Sequence, residues 1–320
     1  MRHSVTIRGA AIIAAMTMIC STARAEDTLK VAIGQRGAFE NSVSEIGQQR
    51  GFFKKRNLML EILYTQGSGE TQQAVISGAV DIGIGVGASG TFSAFAKGAP
   101  VRAIGQTMRG AYEFWYVPAQ SPIKSFKEAE GKTVAYSTAG SSTSLMVNAL
   151  QKHYGVTVKP VATGSPTSTL TQAMTGQVDV GWTVAPIAIE ALEQGKIRIV
   201  ARGSDVPAFA NQTLRFVLVN ANALEKNPDA FRRYMQAYRD TLDWMYSDPA
   251  SIAAYAKWAG ISENVARRTR DEFIPKDNAH PDKIAGLDAA MADAITYKFI
   301  AAPLSANDLK KLIQLQAPIN

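Results

Sequence analysis

Short apolar runs and helical stripes of apolar residues alternate along the first half of the chain. A run at 29–33 leads into a glycine-containing turn, and a helical pattern then begins at Asn41 or Ser42 and ends before Gly51. Further strands are predicted at 60–64, 80–86 and 101–104, and further helices at 70–77 and 92–97. Alternation of elements with these lengths predicts an α/β unit built around parallel strands.

The same order of elements returns in the second part of the chain. The segment from Gly78 to Gly83, Gly-Ala-Val-Asp-Ile-Gly, recurs from Gly176 to Gly181 as Gly-Gln-Val-Asp-Val-Gly. Around the second copy, the pattern predicts strands at 133–136, 156–161, 178–182 and 197–201, and helices at 142–154, 167–175 and 187–194. One α/β unit present twice predicts two similar lobes with a cleft between them.

Two extended segments are expected to cross between the lobes. The first covers 112–117 and the second 214–220. From residue 222 onward the pattern is helical, and the longest helix begins at Pro228 after the potential cap Asn227. The predicted division is therefore a signal segment at 1–25, lobe one at 26–110 plus 214–320, and lobe two at 111–213.

The first 25 residues differ from the rest. Arg2 and Arg8 precede an apolar run at 10–19, and Ala23-Arg24-Ala25 has the small-x-small form of a cleavage site. We therefore predict a secretory signal cleaved after Ala25 and a periplasmic location. Cleavage would lower the net charge from +7 to +4, because Arg2, Arg8 and Arg24 would leave. Since the remaining charges are mixed in sign along the chain, nucleic acid is not an expected partner.

The sequence offers little catalytic chemistry. Cys20 is the only cysteine, and after residue 25 only His153, on a predicted buried helix stripe, and His280 remain as histidines. The segment 83–88 fits G-x-G-x-x-A, but its glycines lie inside a predicted strand and 103–109 contains no acid for a ribose. The expectation from these residues is a protein that is not an enzyme, with no catalytic residue, no metal and no cofactor.

Four segments resemble a known family: 29–32 (LKVA), 51–58 (GFFKKRNL), 79–83 (AVDIG) and 131–135 (GKTVA). They are similar to type II periplasmic solute-binding proteins of ABC importers, in the sulfonate, nitrate and taurine group related to thiamine-pyrimidine-synthase-like proteins. The resemblance implies two α/β lobes, each a mostly parallel sheet flanked by helices, joined by two hinge strands. It also implies a protein that captures a small ligand and delivers it to an inner-membrane permease with its ATPase. We expect this protein to be a monomer.

Two alternatives remain open. One is a pyrimidine precursor binding protein or synthase of the same fold, whose activity in the related enzymes depends on iron and a cysteine-rich motif. The absence of cysteine after Cys20 departs from that motif. The other is a ligand-sensing module that works without a transporter.

The candidate ligand site is placed at turns that follow predicted strands. Backbone N–H groups at a helix start can hold an anion, and glycine lets a backbone approach a ligand closely. The best candidate is the turn with Ser137, Ser141, Ser142 and Thr143. The other turn residues are Gly67, Ser68, Gly87, Ala88, Ser89, Ser165 and Thr183.

Charged and aromatic residues near these turns would complete the site. Arg36 and Arg109 are candidates for binding a carboxylate or sulfonate, and Phe39, Tyr112 and Trp182 for its walls. The expected ligand is a small organic anion that is sulfonate-, nitrate- or carboxylate-like. For the repeated acids Asp81 and Asp179, which lie between apolar neighbours, we expect structural hydrogen bonds.

Overall fold

The computed structural model describes residues 26–319. The predicted signal segment and its cleavage after Ala25 lie outside the described residues. The strands are β1 Asp27–Gly34, β2 Leu58–Thr65, β3 Ile82–Gly87, β4 Val101–Arg109, β5 Phe114–Pro118, β6 Thr133–Tyr136, β7 Lys159–Ala162, β8 Gly181–Thr183, β9 Ile197–Arg202 and β10 Thr213–Asn220.

Helices follow most of these strands. They are α1 Val43–Gln49, α2 Ser68–Ile76, α3 Ala88–Ala96, α4 Ser142–Tyr154, α5 Pro166–Met174, α6 Ile189–Glu193, α7 Ala221–Lys226, α8 Pro228–Ser247, α9 Ala250–Ala259, α10 Glu263–Arg268, α11 Leu287–Thr296 and α12 Ala306–Leu312. A π-helical turn, Thr269–Phe273, extends α10. No helix among residues 26–319 has the length and apolar character needed to cross a membrane.

The largest sheet has five strands in the order β2-β1-β3-β10-β4. β1 runs parallel to β2 and β3, whereas β10 runs antiparallel to β3 and β4. β10 follows the second α/β unit along the chain but pairs with strands of the first. It is therefore one of the two predicted crossing strands.

The strands of the second unit are arranged around the other crossing strand. β5 follows the first unit along the chain but lies between β8 and β9, antiparallel to both. β6 pairs with β7 in parallel, and a bridge from Val134 to Val180 connects β6 to the chain just before β8. The predicted α/β class is confirmed. Only the five-stranded sheet is mixed, because β10 arrives from the other unit; both pairings of β5 are antiparallel, and β6 and β7 form a parallel pair.

A β-bulge in the five-stranded sheet sets the register next to the candidate site. Gly85 has φ +75°, a conformation that L side chains disfavour. The pairing of β10 with β3 shifts at this point, between Phe216 and Val217. The shift leaves Arg215 opposite Gly87, the last residue of β3.

The C-terminal helices pack against the five-stranded sheet and its flanking helices. α8 contacts α1 and β2, α11 contacts α3, and α12 contacts β4. The cap predicted for α8 is present, because the Asn227 side chain accepts a hydrogen bond from the Ala230 N–H at 3.3 Å. The apolar stripe of α8 is buried: Phe231, Tyr234, Met235, Tyr238, Leu242 and Met245.

Some local predictions differ from the structure. His153 is exposed on the last turn of α4, so its predicted burial is wrong. β7 begins at Lys159 rather than at Val156, because the Val156 N–H donates to Gln151 O and closes the end of α4. The helical pattern expected from residue 222 onward is interrupted before α11, which begins after Gly286, a residue with positive φ.

Candidate functional site

Three helix starts meet at the junction of the two sets of strands. The Gly87 N–H, at the start of α3, donates to Ser68 Oγ, at the start of α2, at 2.7 Å. A Cβ placed on Gly87 would lie only 2.9 Å from the backbone nitrogen of Ser142, the first residue of α4. Because the first N–H groups of a helix lack partners within it and carry partial positive charge, this arrangement concentrates positive potential at one point.

The glycine turns of the first unit pack directly on the Ser137–Ser142 turn of the second. The Gly69 N–H donates to Thr138 Oγ1 at 2.8 Å. A Cβ on Gly67 would meet the Ser137 Cβ at 3.3 Å, and one on Gly87 would meet Gly140 O at 2.7 Å. The lack of side chains at these positions therefore allows the two parts to close against each other.

An ion pair lies beneath the helix starts. Arg215 of β10 donates through Nη2 to Glu113 Oε1, and the side chains are only 6% and 1% exposed. The Glu113 carboxylate also accepts from Ser142 Oγ at 3.4 Å and from the Tyr112 N–H at 3.1 Å. Such a buried charge pair requires additional hydrogen bonds of this kind to offset its desolvation.

Glu40 brings a second carboxyl to the same place. The Tyr112 hydroxyl donates to Glu40 Oε1, and the Arg215 guanidinium lies 5.0 Å from the centre of the Tyr112 ring. Burial raises the pKa of the Glu40 carboxyl, although Arg215 acts in the opposite direction. For the Arg215 guanidinium, burial has the opposite effect and lowers the pKa, while the Glu40 carboxyl opposes that shift. We call Glu40, Tyr112, Glu113, Ser142 and Arg215 the buried ionic centre.

Several polar atoms in and beside this centre are buried without a hydrogen-bond partner. They are Glu40 Oε2, Arg215 Nη1, Ser89 Oγ and Asn41 Oδ1. Ser89 lies two residues after Gly87, whose Cα pairs with Arg215. A buried polar atom left without a partner costs about 1–3 kcal/mol, so a cluster of them calls for a functional explanation. The centre has the donors and acceptors that a small polar ligand would satisfy.

A cleft of about 560 Å³ runs beside the junction. Its walls come from both units and from the C-terminal part of the chain, and include Gln72, Gly90, Gly140, Ser144 and Lys298. Since Gly90 and Gly140 also belong to the packed turns, the cleft leads from solvent to the edge of the closed junction.

The structure brings most of the predicted turn residues together. Those at or next to the junction are Gly67, Ser68, Gly87, Ala88, Ser89, Tyr112, Ser137, Ser141, Ser142 and Thr143. The two neighbouring serines have different partners. Ser141 Oγ caps α4 by accepting from the Ser144 N–H at 3.1 Å, whereas Ser142 Oγ points to Glu113.

Six predicted residues have other contacts. The exposed Arg36 lies over the Tyr64 ring at 4.8 Å, and Arg109 donates to Asn278 Oδ1 at 3.0 Å. Phe39 packs edge-on against Tyr255, and Ser165 caps α5. Trp182 lies opposite Trp115 in the sheet, and the Thr183 hydroxyl donates to Ile187 O. Within residues 26–319, none of these six residues makes a hydrogen bond or ring contact with the buried ionic centre in this closed arrangement.

Sequence reasoning missed three charged residues of the centre: Glu40, Glu113 and Arg215. Two of them had a recognisable signal. Glu113 and Arg215 are charged residues within the apolar crossing segments 112–117 and 214–220. A charge in a buried strand is costly unless it is paired, so two such residues on the two crossing segments indicate a pair.

The residues do not fit the iron that the synthase resemblance implies. Across residues 26–319, no three His, Cys, Asp or Glu side chains are grouped so that they could hold a metal ion. Cys20, the only cysteine of the chain, lies outside this range.

Comparison with known proteins gives a family and a fold. The family described as NMT1/THI5 like matches residues 45–252, which is more than half of the 320-residue chain. The 4-amino-5-hydroxymethyl-2-methylpyrimidine phosphate synthase THI12 of Saccharomyces cerevisiae is 24% identical over 223 residues. That match covers 64% of this chain and 63% of the yeast protein, so the chain spans less than two thirds of the length of this relative.

Solved structures with the same fold include sulfonate-binding proteins. The alkanesulfonate-binding protein SsuA from Xanthomonas axonopodis pv. citri, bound to MOPS, has a TM-score of 0.74 and 19% identity, covering 91% of this chain and 99% of its own. The periplasmic aliphatic sulphonate-binding protein SsuA from Escherichia coli has a TM-score of 0.65 and 19% identity, covering 92% and 94%. At these identities the likeness shows the periplasmic binding protein fold alone.

One expectation from the sequence is corrected by these relatives. The prediction that the protein is not an enzyme is contradicted, because the curated relatives from Saccharomyces cerevisiae, Candida albicans and Uromyces fabae all carry the name of a synthase. That prediction rested on the scarcity of cysteine and histidine, which is a weaker guide to enzyme activity than sequence similarity to these relatives.

Proposed function

The chain belongs to the NMT1/THI5-like family, and from that premise we propose that it is an extracytoplasmic solute-binding protein that encloses a small organic anion between two lobes. Residues 26–110 plus 214–320 form one lobe in this proposal, and 111–213 the other. The pairing of β5 and β10 with strands of opposite units supports this division.

A single observation carries the proposal. Arg215 Nη1 and Ser89 Oγ are buried donors without partners at the point where the starts of α2, α3 and α4 meet. One helix start contributes only about 0.3–1 kcal/mol toward an anion. Three of them together with an unpaired guanidinium nitrogen are a stronger site.

Ligand capture would require the junction to open. Two crossing segments link the units, and hinge motion of such a fold needs only a few residues to change conformation. A ligand that contacts both lobes would then favour the closed arrangement. The proposal extends to delivery of the ligand to a membrane permease with its ATPase, and to a periplasmic location of a monomer.

Ligand-dependent stabilisation tests the binding function. Alkanesulfonates, short carboxylates and nitrate are compared by thermal shift and then by calorimetry, since a ligand at 100 times its Kd stabilises the native state by about 2.7 kcal/mol. Ser89→Ala should weaken the bound anion, whereas Ser77→Ala at the exposed end of α2 should not. Equal affinity of both variants would contradict the placement of the site.

Stimulation of the ATPase of a reconstituted importer by the loaded protein tests delivery, and binding without that stimulation favours a sensing module.

Pyrimidine phosphate synthesis is the second candidate function. It is favoured by the names of the curated relatives, at 24% identity over about two thirds of the chain. Expression in a strain that lacks its own pyrimidine phosphate synthase tests this candidate. Growth without added pyrimidine would support the synthase, and growth that still depends on pyrimidine would contradict it.

A further inference from the structure

We propose that the cleft beside the junction is an outer anion site, in which Lys97 and Lys298 hold the incoming anion before it reaches the buried ionic centre. This inference rests on the proposed anion-binding function and adds a first step of capture to the same site. The observations behind it are the charge of the cleft walls and the backbone conformation of Lys298.

The walls of the cleft carry charge of one sign. Lys97 directly follows α3, Lys298 comes two residues after the end of α11, and both of these exposed residues line the cleft. Within the described part of the chain, no aspartate or glutamate lines it. Gln72, Ser144 and Asn148 add neutral polar groups to the walls. A cleft lined by one sign of charge raises the local concentration of an oppositely charged solute, so the solute that suits this cleft is an anion.

Neither lysine is neutralised by an acidic side chain. Among the ion pairs formed within residues 26–319, none includes Lys97 or Lys298. Asp308 shares a neighbouring depression with Lys97, but its carboxylate accepts a hydrogen bond from Ser305 Oγ at 2.7 Å. The two ammonium groups are therefore available to a solute in the cleft.

Both lysines lie on the same side of the proposed hinge. α11 contacts α3, and both helices belong to the residues assigned to lobe one. The facing wall, with Ser144 and Asn148, belongs to α4 of lobe two. Separation of the lobes would therefore widen the cleft and leave the two lysines together on lobe one. The outer site exists before closure, as a first step of capture requires.

The backbone of Lys298 is held in a conformation that favours glycine. Its φ is +62°, a value that residues with a side chain rarely adopt. The Phe299 N–H donates to Ala294 O at 2.8 Å and closes the end of α11. α3 ends with the same pattern around Gly98, where φ is +84°, and glycine is the usual residue at this position of the motif. A lysine where glycine would fit without strain indicates a function for its side chain.

A purely structural role for the lysines makes a different prediction. A cation at the end of a helix also interacts favourably with the partial negative charge of the last carbonyl groups. If that were the only role of Lys97 and Lys298, their replacement would lower stability and leave the rate of anion binding unchanged. Lys298→Gly separates the two roles, because it removes the charge and the backbone strain together.

The experiment measures how fast an anion binds to the full chain. Ethanesulfonate and propanoate are the probes, calorimetry gives their Kd, and stopped-flow tryptophan fluorescence gives the association and dissociation rate constants. Ionic strengths of about 0.01 M and about 1 M are compared, since charges act over about 30 Å in the first and about 3 Å in the second. Lys257→Gln is the matched control, because Lys257 is also an exposed lysine near the end of a helix but does not line the cleft.

We expect the loss to appear in association and only at low ionic strength. The double variant Lys97→Gln with Lys298→Gly should associate about tenfold more slowly than the wild type at the lower ionic strength. At the higher ionic strength the two should associate at the same rate, and the dissociation rate constant should not change in either condition. Lys257→Gln should behave as the wild type, and Lys298→Gly should unfold at a urea concentration at least as high as the wild type does.

The outcomes separate this inference from the proposed function. The outer site is overturned, while the anion-binding function stands, if the double variant associates as fast as the wild type or if Lys257→Gln slows association equally. A change confined to the dissociation rate, or a lower urea midpoint for Lys298→Gly, also overturns it. If neither ethanesulfonate nor propanoate binds the wild type, the proposed anion-binding function itself is contradicted, and the outer site falls with it.

Discussion

Glu113 and Arg215 form a buried ion pair between the two chain segments that pass from one set of strands to the other. Glu113 immediately precedes β5, and Arg215 is the third residue of β10. The pair therefore joins both crossings at one point, directly beneath the start of α4. Mutation of the pair can separate its contribution to stability from its role in the candidate site.

Removing both members of this pair should destabilise the protein by less than the two single changes added together. Glu113→Gln leaves Arg215 charged and buried without its carboxylate, and such a change costs about 3–5 kcal/mol. The double variant Glu113→Gln with Arg215→Met should lose less than the sum of the single variants, because neither charge then stays buried alone. Urea unfolding of the single and double variants measures the difference.

An exposed ion pair provides the control for that cycle. Arg268 and Glu193 are paired across the two units but are 40% and 44% exposed. Glu193→Gln should therefore change the free energy of unfolding by at most about 1 kcal/mol. If the changes in unfolding free energy of the Glu113 and Arg215 single variants simply add in the double variant, the buried pair has no coupling energy.

The stability of the protein should fall as pH rises through the titration of Glu40. Burial raises the pKa of this carboxyl in the folded protein, with Arg215 opposing the shift. Below the ordinary range of glutamate, about 4 to 4.5, both the folded and the unfolded states hold the proton. Above it the unfolded state ionises first, so stability decreases until the raised pKa is passed.

Glu40→Gln should flatten this part of the pH profile, since glutamine does not titrate. The measurement is the free energy of unfolding between pH 4 and 8, with Glu61→Gln on the exposed side of β2 as the control. A decline of the same slope in the Glu40→Gln variant would show that another group causes it.

Gly87→Ala should hinder closure of the junction without preventing folding. The backbone of Gly87 has φ −59°, which alanine adopts freely, but the added Cβ would lie 2.7 Å from Gly140 O. Overpacking of this kind costs about 1–3 kcal/mol, and separation of the two units relieves it. Small-angle scattering should show a larger radius of gyration, and anion affinity should fall. An unchanged radius and affinity would contradict the proposed closure at this contact.

Asp81 and Asp179 should each contribute about 1 kcal/mol to stability. Asp81 Oδ2 accepts from the Lys30 N–H at 2.8 Å, and Asp179 Oδ2 accepts from the Thr133 N–H at the same distance. The structural hydrogen bonds expected for this repeated pair are confirmed. Because the two sites are in different sheets, the effects of Asp81→Ala and Asp179→Ala should add in urea unfolding.

The pH dependence of the Asp179 contribution has the opposite sign from that of Glu40. Burial alone would raise the pKa of this carboxyl, but the hydrogen bonds from Thr133, together with Lys132 and Lys159, lower it below the ordinary value. Its contribution is therefore lost as the pH falls through the ordinary aspartate range. If Asp179→Ala and the wild type differ equally in stability at pH 3 and pH 7, the carboxylate charge has no role in this contact.

Local pattern was sufficient for most of the elements and for the turns of the candidate site. The run of Ser137 to Ser142 before a helix stripe predicts a helix start, and α4 begins at Ser142. The repeat around Asp81 and Asp179 predicts equivalent strands, and both acids make the same bond to a neighbouring parallel strand. These features depend on residues that are close together in the sequence, and they could therefore be predicted from it.

The sequence by itself determined a repeated α/β unit, its helix starts and two apolar crossing segments. Only the tertiary structure decided that Glu40, Glu113 and Arg215 meet, since Tyr112 is 72 positions from Glu40 and Arg215 is 102 positions from Glu113. The physical reason is register. A bulge at Gly85 and the antiparallel insertion of β10 place Arg215 opposite Gly87, and no periodicity along the chain encodes which side chains a sheet brings face to face.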